Sequence, residues 1–505
     1  MSILDGSESS IKKEILQADS EEKRDFKNSK DGTSEVSSIP SFRKGHKLSK
    51  KLRWKIYLQI MPLFILVYFF QFLDKTLLNY AAVMGITKYL KGNEYSNLST
   101  IFYVSYLVME PFAGLCIQKL PVAKFLGVNV ILWGIVVCCH AATKTYAGLM
   151  IVRTLLGLCE ASAGACLIVI TGMWWTKKEQ SRLTGLWFMQ IGTAQIIGAL
   201  ISFGFQHVHT TTIESWQILF IVIGVITAML GFAVLIFLPD NPLTCNFLTE
   251  SEKQEVIDHI RVNQTGVENR KYKLYQVKEI LFQDKQTWLL FFIVLLSLIN
   301  GGAITTFSSV ILESFGFDHY QSTFMQFPSG VITIISALLC CYLPSYIGER
   351  CFIVAFISLL SLIGIVLQIS LGTSQKAGRL IGVYLMNFNG ALVALVYTWG
   401  AINTSGHTKR ITRNTMTLMA FCIGCLLGPQ QFRSKDAPNY TPGKIALIVE
   451  LAVTIVLAFI LRAVIINENK VRDKKYSNLS PEIRNRDATF LDITDIENVN
   501  FRYSY

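Results

Sequence analysis

Charge is scarce in this sequence. Asp, Glu, Lys and Arg make up 16% of its 505 residues, against about 25% in an ordinary soluble domain. Histidine is sparse as well: the seven are scattered, and only His207-Val-His209 brings two together, at the edge of an apolar run where solvent is the expected neighbour. No Cys-x-x-Cys is matched by a second pair, which argues against zinc, and the eleven cysteines fall mostly inside apolar runs as small helix residues. No Walker loop occurs, so ATP hydrolysis within the chain is not expected. No nucleophile–base pair stands out either, and the expectation is a protein that is not an enzyme. A cleavable leader is missing from the polar N-terminal stretch, so the first apolar run serves as an uncleaved anchor.

Apolar sequence is what the chain has in quantity. Hydrophobic residues are 51% of it, and mean hydropathy is +0.41. Twelve stretches of roughly 20 apolar residues, the length that crosses a bilayer, lie near 56–85, 98–119, 125–142, 147–173, 183–207, 218–238, 288–312, 324–346, 351–371, 380–402, 416–432 and 444–466. The run Phe291-Phe292-Ile293-Val294-Leu295-Leu296 lacks the alternation of a barrel strand. The fold class expected is therefore an all-α membrane protein of twelve transmembrane helices, since a helix satisfies its own backbone in lipid.

Five regions follow from the polar punctuation. Residues 1–55 form a disordered cytosolic tail, 56–238 a first six-helix bundle, 239–286 a cytosolic connector, 287–466 a second six-helix bundle and 467–505 a polar, mobile cytosolic tail. The orientation rests on basic clusters at span edges: Arg43, Lys44, Lys47, Lys50, Lys51, Arg53 and Lys55 before the first span, Lys177, Lys178 and Arg182 after the fourth, Lys409, Arg410 and Arg413 after the tenth. The net charge of +12 then marks topology at a lipid bilayer, and nucleic acid is not an expected partner. Within the connector, 249–263 reads as a surface helix with a Thr cap.

Ionisable residues at membrane depth are costly and usually face a bundle interior or a watery cavity. Asp74 and Lys75 interrupt the first span. Neighbours on a helix diverge by about 100°, so these two are expected to reach different partners. Arg153 and Glu160 in the fourth span are seven residues apart, hence on one face and roughly 10 Å apart along the axis. Arg offers a planar fork for a carboxylate; a carboxyl in apolar surroundings suits proton uptake and release. The alternative for this pair is a helix-anchoring ion network. Glu110, before Pro111, either joins the same cavity or marks a bend. Gln190, Gln195, Asn387 and Asn389 are neutral polar groups in apolar helices, open to interhelical bonding or substrate contact. Gly185, Gly192, Gly198, Gly424 and Gly428 read as close-packing positions. Six helices, a connector and six more, with midplane charges and no ATPase, is the pattern of a secondary transporter with alternating access.

The same residues resemble those of the major facilitator superfamily and, within it, the anion:cation symporter family in its fungal allantoate permease branch. The likeness runs through Leu73-Asp74-Lys75-Thr76-Leu77-Leu78-Asn79-Tyr80 in span one, Pro121-x-x-Lys124-Phe125-Leu126-Gly127, Arg153-x-x-x-Gly157-x-x-Glu160-Ala161, Trp174-Trp175 to Arg182, and Leu238-Pro239-Asp240-Asn241-Pro242. It continues in Gly428-Pro429-Gln430-Gln431-Phe432-Arg433 with Asp436-Ala437-Pro438-x-Tyr440, and in Phe490-Leu491-Asp492-Ile493-Thr494-Asp495-Ile496-Glu497-Asn498 with Phe501-Arg502-Tyr503. The resemblance implies proton-coupled uptake of a small organic anion, with protons as coupling ion and no cofactor or metal. By that resemblance Asp74 and Glu160 are the proton-coupling residues, and Arg153, Lys75 and Gln190 the substrate-binding ones; their place in the apolar spans adds Glu110 to the first group and Asn387 to the second. One departure is Gln118, where the superfamily's second-to-third loop carries an acid. The leading expectation is a plasma-membrane symporter for allantoate or ureidosuccinate; the alternatives are a vitamin-type acid (nicotinate, pantothenate, biotin), cysteine or dipeptides, an internal membrane as the address, and more remotely a nutrient sensor. The protein is expected to act as a monomer. Asn97 and Asn439 head possible glycosylation sequons in external loops.

Overall fold

A computed structural model describes residues 48–208, 213–242, 245, 247–261, 273–372, 375–477, 494–498 and 501–505. His209 and residues 1–47 lie outside the described residues, among them Arg43, Lys44 and Lys47. The apolar runs fold as helices, and no strand occurs among the described residues. In chain order these are α1 (Lys50–Val83), α2 (Glu94–Lys119), α3 (Val122–Cys139), α4 (Tyr146–Glu160), α5 (Ser162–Trp174), α6 (Lys177–Gln206), α7 (Ser215–Phe237), α8 (Glu250–Arg261), α9 (Leu274–Phe282), α10 (Lys285–Ser314), α11 (His319–Phe324), α12 (Phe327–Ile347), α13 (Arg350–Ser370), α14 (Lys376–Met386), α15 (Leu392–Ile402), α16 (His407–Gln430) and α17 (Thr441–Ser477). Their starts follow local chemistry: Ser49 caps α1, Thr176 and Glu179 form a capping box on α6, and Asp284 caps α10 through the Thr287 amide.

Among the described residues eleven helical segments are long and apolar enough to cross a membrane, α4–α5, α11–α12 and α14–α15 each counting as one. The twelfth expected span is α2. It is long enough at 26 residues, but Asn97, Ser99, Ser105, Glu110 and Gln118 dilute its hydropathy. It packs between α4 and α16 as a full member of the bundle. The basic residues Lys50, Lys51, Arg53 and Lys55 belong to α1 itself, so the first helix begins inside the stretch expected to be tail.

The pairing of helices repeats. In the first half α3 packs on α7 and α1 on α6; in the second α13 packs on α17 and α10 on α16. Between the halves α6 meets α12 and α2 meets α16, an equivalent pair of contacts, while α1 meets α10. The glycines set the closest approaches. A Cβ on Gly428 would lie 2.3 Å from the Ile299 carbonyl oxygen and one on Gly192 2.4 Å from that of Gly330. Dispersion between backbones, rather than the hydrophobic effect, drives such contacts in lipid. Away from them α17 turns Val449, Val453, Val456, Phe459 and Ile460 outward, the face a lipid chain would cover.

The stretches outside the bundles are more ordered than their polarity suggests. Asp240 accepts from the amides of Ala123 and Lys124, capping α3 across the fold. The expected connector helix is α8, boxed by Thr249 and Glu252. It is tied to the first half by Glu255 to the Ser49 amide, Glu252 to Lys55 and His259 to Glu179. Within the stretch expected to be a polar tail from residue 467, α17 runs on to Ser477, and residues 494–498 and 501–505 pack against the second half. Asp495 is 1% exposed and pairs with Lys409 at 2.8 Å. Tyr503 donates to Asp495, Asn469 and Tyr503 exchange two hydrogen bonds, Arg472 donates to the Tyr503 hydroxyl, and Asn403 binds both backbone groups of Ser504. Aromatic and carboxylate anchors spaced by polar residues look like tail composition but form a strap.

Candidate functional site

Two spans in corresponding positions of the halves are interrupted. The fourth breaks at Ala161 between α4 and α5; the tenth passes through a 3-10 turn at Asn387–Ala391 between α14 and α15. Interrupted spans at matched positions are where transporters place their substrate sites. Glu160 is the last residue of α4 and is fully buried.

Asp74 and Lys75 diverge as the helix geometry requires. The Asp74 carboxylate, 1% exposed, accepts from the Trp133 indole Nε1 of α3 at 2.5 Å, and its other oxygen has no partner among the described residues. Lys75 turns to α4, where its ammonium lies 2.9 Å from Oε1 of Glu160. That contact is close but off the hydrogen-bond direction, so both Glu160 oxygens still lack a well-aligned donor. The ammonium also faces the rings of Tyr106 at 5.3 Å and Phe102 at 6.0 Å from their centroids, a cation–π setting. Arg153 is 2% exposed, and its Nε and Nη2 have no acceptor among the described residues. Burying a guanidinium without an acceptor is expensive, and here two nitrogens of one fork are left open. Asp74 and Glu160 act on it electrostatically from nearby. The result is two carboxyls and two cations in one buried cluster, with spare donors on Arg153 and spare acceptors on Asp74 and Glu160.

The other candidates separate. Glu110 is half-buried and accepts a weak contact from the Cys422 thiol at 4.0 Å, across the interface with α16. Gln190 donates to the Leu186 carbonyl and Asn387 to the Val383 carbonyl, each one turn back on its own helix. Gln195 accepts from Thr333 of α12, and Asn389 donates to the Ser297 carbonyl of α10. These are helix-to-helix ties. Asn97 lies within α2, donating to the Tyr146 hydroxyl and accepting from Gln430, whereas Asn439 is exposed.

Two residues that the sequence reading did not single out join the cluster, and a third lies beside Glu110. Gln71, 4% exposed, precedes Lys75 by one turn and shares its face; that spacing was the available signal. Trp133 carried no signal, because an indole in an apolar helix reads as packing. Tyr397 of α15 keeps a buried hydroxyl with no partner among the described residues, on the side of Glu110.

The two halves are bonded to each other at one end. On the side where α1 finishes, Asn79 binds Ser308 and the Ser309 amide, Ser308 and Ser309 both bind Gln326, the Tyr95 hydroxyl reaches the Thr306 carbonyl, and Gln206 reaches Thr323. Among the described residues, the hydrogen bonds and ion pairs joining the halves lie at that end or at the level of Glu110 and Cys422; none joins them nearer the end where α1 begins.

Comparison with known proteins agrees with this architecture. Residues 64–429 match the family model of the Major Facilitator Superfamily. The chain is 45% identical over 465 residues to the thiamine pathway transporter THI73 of Saccharomyces cerevisiae, covering 92% of this chain and 88% of that one. It is 34% identical over 469 residues to the allantoate permease of the same yeast, covering 90% and 86%. Among solved structures it resembles a bacterial homologue of the human lysosomal transporter Spinster, inward-facing and unoccupied, with TM-score 0.60 and 14% identity, covering 82% of this chain and 96% of that one; at that identity the likeness speaks to the fold alone. The fold and its buried cluster define a multi-pass membrane transporter. The chain belongs to the Major Facilitator Superfamily, in its fungal allantoate-permease-like branch.

Proposed function

We propose that this protein is a plasma-membrane proton symporter that imports a small organic carboxylate of the vitamin or vitamin-precursor type. The carrying observation is Arg153: a buried guanidinium with two nitrogens lacking acceptors, beside two buried carboxyls. Open donors of this kind favour an acid over a cation such as a thiazolium. Charge counting supplies the coupling. With Asp74 and Glu160 ionised, the cluster with Lys75 and Arg153 is neutral; a bound monoanion leaves it at −1, and one proton on a carboxyl restores neutrality. A charge crossing apolar surroundings is costly, so anion and proton travel together. Tyr397, from the second half, is a better candidate for substrate contact there than Asn387, whose amide is spent on Val383.

The relatives rank the substrates. The 45% identity to a transporter named for the thiamine pathway favours the vitamin-type alternative over allantoate or ureidosuccinate, whose named carrier is 34% identical. Labelled nicotinate, pantothenate, biotin, thiamine, allantoate and ureidosuccinate, offered at external pH 5 and 7 to yeast lacking its related permeases, test this. The expected result is uptake of one acid, faster at pH 5 and abolished by a protonophore. Uptake of thiamine itself, or uptake indifferent to the protonophore with the protein at the surface, would refute it.

A further inference from the structure

A second buried cationic site lies in the second half, away from the central cluster. Arg379 in the first turn of α14 is 3% exposed, and its Nε and Nη1 have no acceptor among the described residues. Lys444 in the first turn of α17 is 2% exposed. Both cations lie on one ring: the guanidinium carbon is 4.1 Å and the ammonium 5.3 Å from the centroid of Phe315. At the rim Lys376 donates to the Gly316 carbonyl oxygen at 2.6 Å and faces Phe317. No carboxylate pairs with Arg379 or Lys444 among the described residues. The two line a cavity of about 150 Å³ together with Gln368, Asn439 and Thr441, at the end of the bundle opposite the start of α1. Gln368 is 1% exposed, and its Oε1 lacks a donor. Rotating that amide by half a turn exchanges the acceptor for a donor.

Two like charges sharing one ring repel each other, and a ring quadrupole does not offset the desolvation of both. Exposed Thr441 and Asn439 add neutral hydrogen-bonding groups but no charge. What the pocket lacks is an anion. It lies at the end of α13, at the end of an apolar span, with exposed Ile369 on its wall. We propose that this pocket is an oxyanion site for a phosphate group, free or on an anionic lipid head group, distinct from the transport site. It is lined by α13, α14 and α17 and holds none of the central residues. An occupied pocket would clamp the three helices at the one end where α14 begins.

The test uses the full chain, purified in neutral detergent and stripped of lipid. Its melting temperature is measured with inorganic phosphate, with an anionic phospholipid, and with a zwitterionic phospholipid, all at constant ionic strength. The parent is expected to melt several degrees higher with phosphate or with the anionic lipid. The double variant Arg379→Gln, Lys444→Gln is expected to lose that increment while matching or exceeding the parent without anion, since an uncompensated buried charge has been removed. A shift with phosphate identifies the free ion as sufficient; a shift with the anionic lipid alone assigns the site to a head group. A parent unmoved by both, or a double variant that shifts as much as the parent, overturns the proposal. Should the double variant not fold, equilibrium dialysis of labelled phosphate and lipid retention by native mass spectrometry on the parent decide: one phosphate or one anionic lipid held per chain supports the site, and neither held rejects it.

Discussion

At the scale of single residues, each charge of the buried cluster is only partly answered. Asp74 keeps one oxygen open beside its bond from Trp133, Glu160 is approached by Lys75 off-axis, and Arg153 keeps two donors free. A fully satisfied network would hold the helices and bind nothing. Arg153→Lys keeps the charge but not the fork. Losing one charge-assisted hydrogen bond of about 1.5–3 kcal/mol should raise the apparent KM for the acid by roughly ten- to hundredfold, read from initial uptake rates. An unchanged KM would remove Arg153 from the substrate. Trp133→Phe withdraws the donor from Asp74 without opening a large cavity, so the expected effect is a displaced pH profile of uptake with surface expression retained.

At the scale of elements, close glycine contacts and paired charges hold the helices in register. Gly428→Leu puts a side chain where a Cβ alone would lie 2.3 Å from a carbonyl oxygen of α10. Overpacking of about 1–3 kcal/mol or more is expected, seen as a lower melting temperature. Glu349 receives two hydrogen bonds from Arg462 of α17, at 3.0 and 2.9 Å. Those bonds hold its carboxyl below the usual range, with burial opposing them less. A depressed carboxyl contributes stability above its unfolded value, near 4.3 for Glu, and loses it as pH falls through its own lower value. Glu349→Gln should therefore cost under about 1 kcal/mol at pH 7, a difference that closes in melting curves taken below pH 4.

The helices and the charges at Asp74, Lys75, Arg153 and Glu160 were legible in the sequence for the same reason: apolar runs expose any exception. Gln190 and Asn387 were ambiguous because spacing cannot tell an amide bonded one turn back from one turned to a cavity. Trp133 and Tyr397 were invisible, since aromatic residues in a span read as packing. The docking of residues 494–498 and 501–505 was not legible, because polar composition says how a segment is solvated, not what it can pair with.

At the scale of the whole molecule, each half carries its own strap. Helix α8 is tied to α1 and α6, while α9 and residues 494–498 and 501–505 are tied to α10, α13, α15, α16 and α17, with Lys409 bonded to Glu279 and Asp495 at the centre. None of these ties joins one half to the other. Lys409→Met removes the cation paired with three buried carboxylates, Glu279, Asp284 and Asp495, a loss of about 3–5 kcal/mol. A melting temperature well below that of the parent, with proteolysis beginning near residues 494–505, is the expected outcome.

Charge balance in the central cluster is the core of the account, and reconstituted vesicles test it most directly. Glu160→Gln and the parent would be compared in two modes: accumulation of the labelled acid driven by an imposed pH gradient, and exchange of labelled for unlabelled acid with no gradient. Glu160→Gln is expected to keep exchange and lose accumulation. Accumulation by Glu160→Gln equal to that of the parent would contradict it.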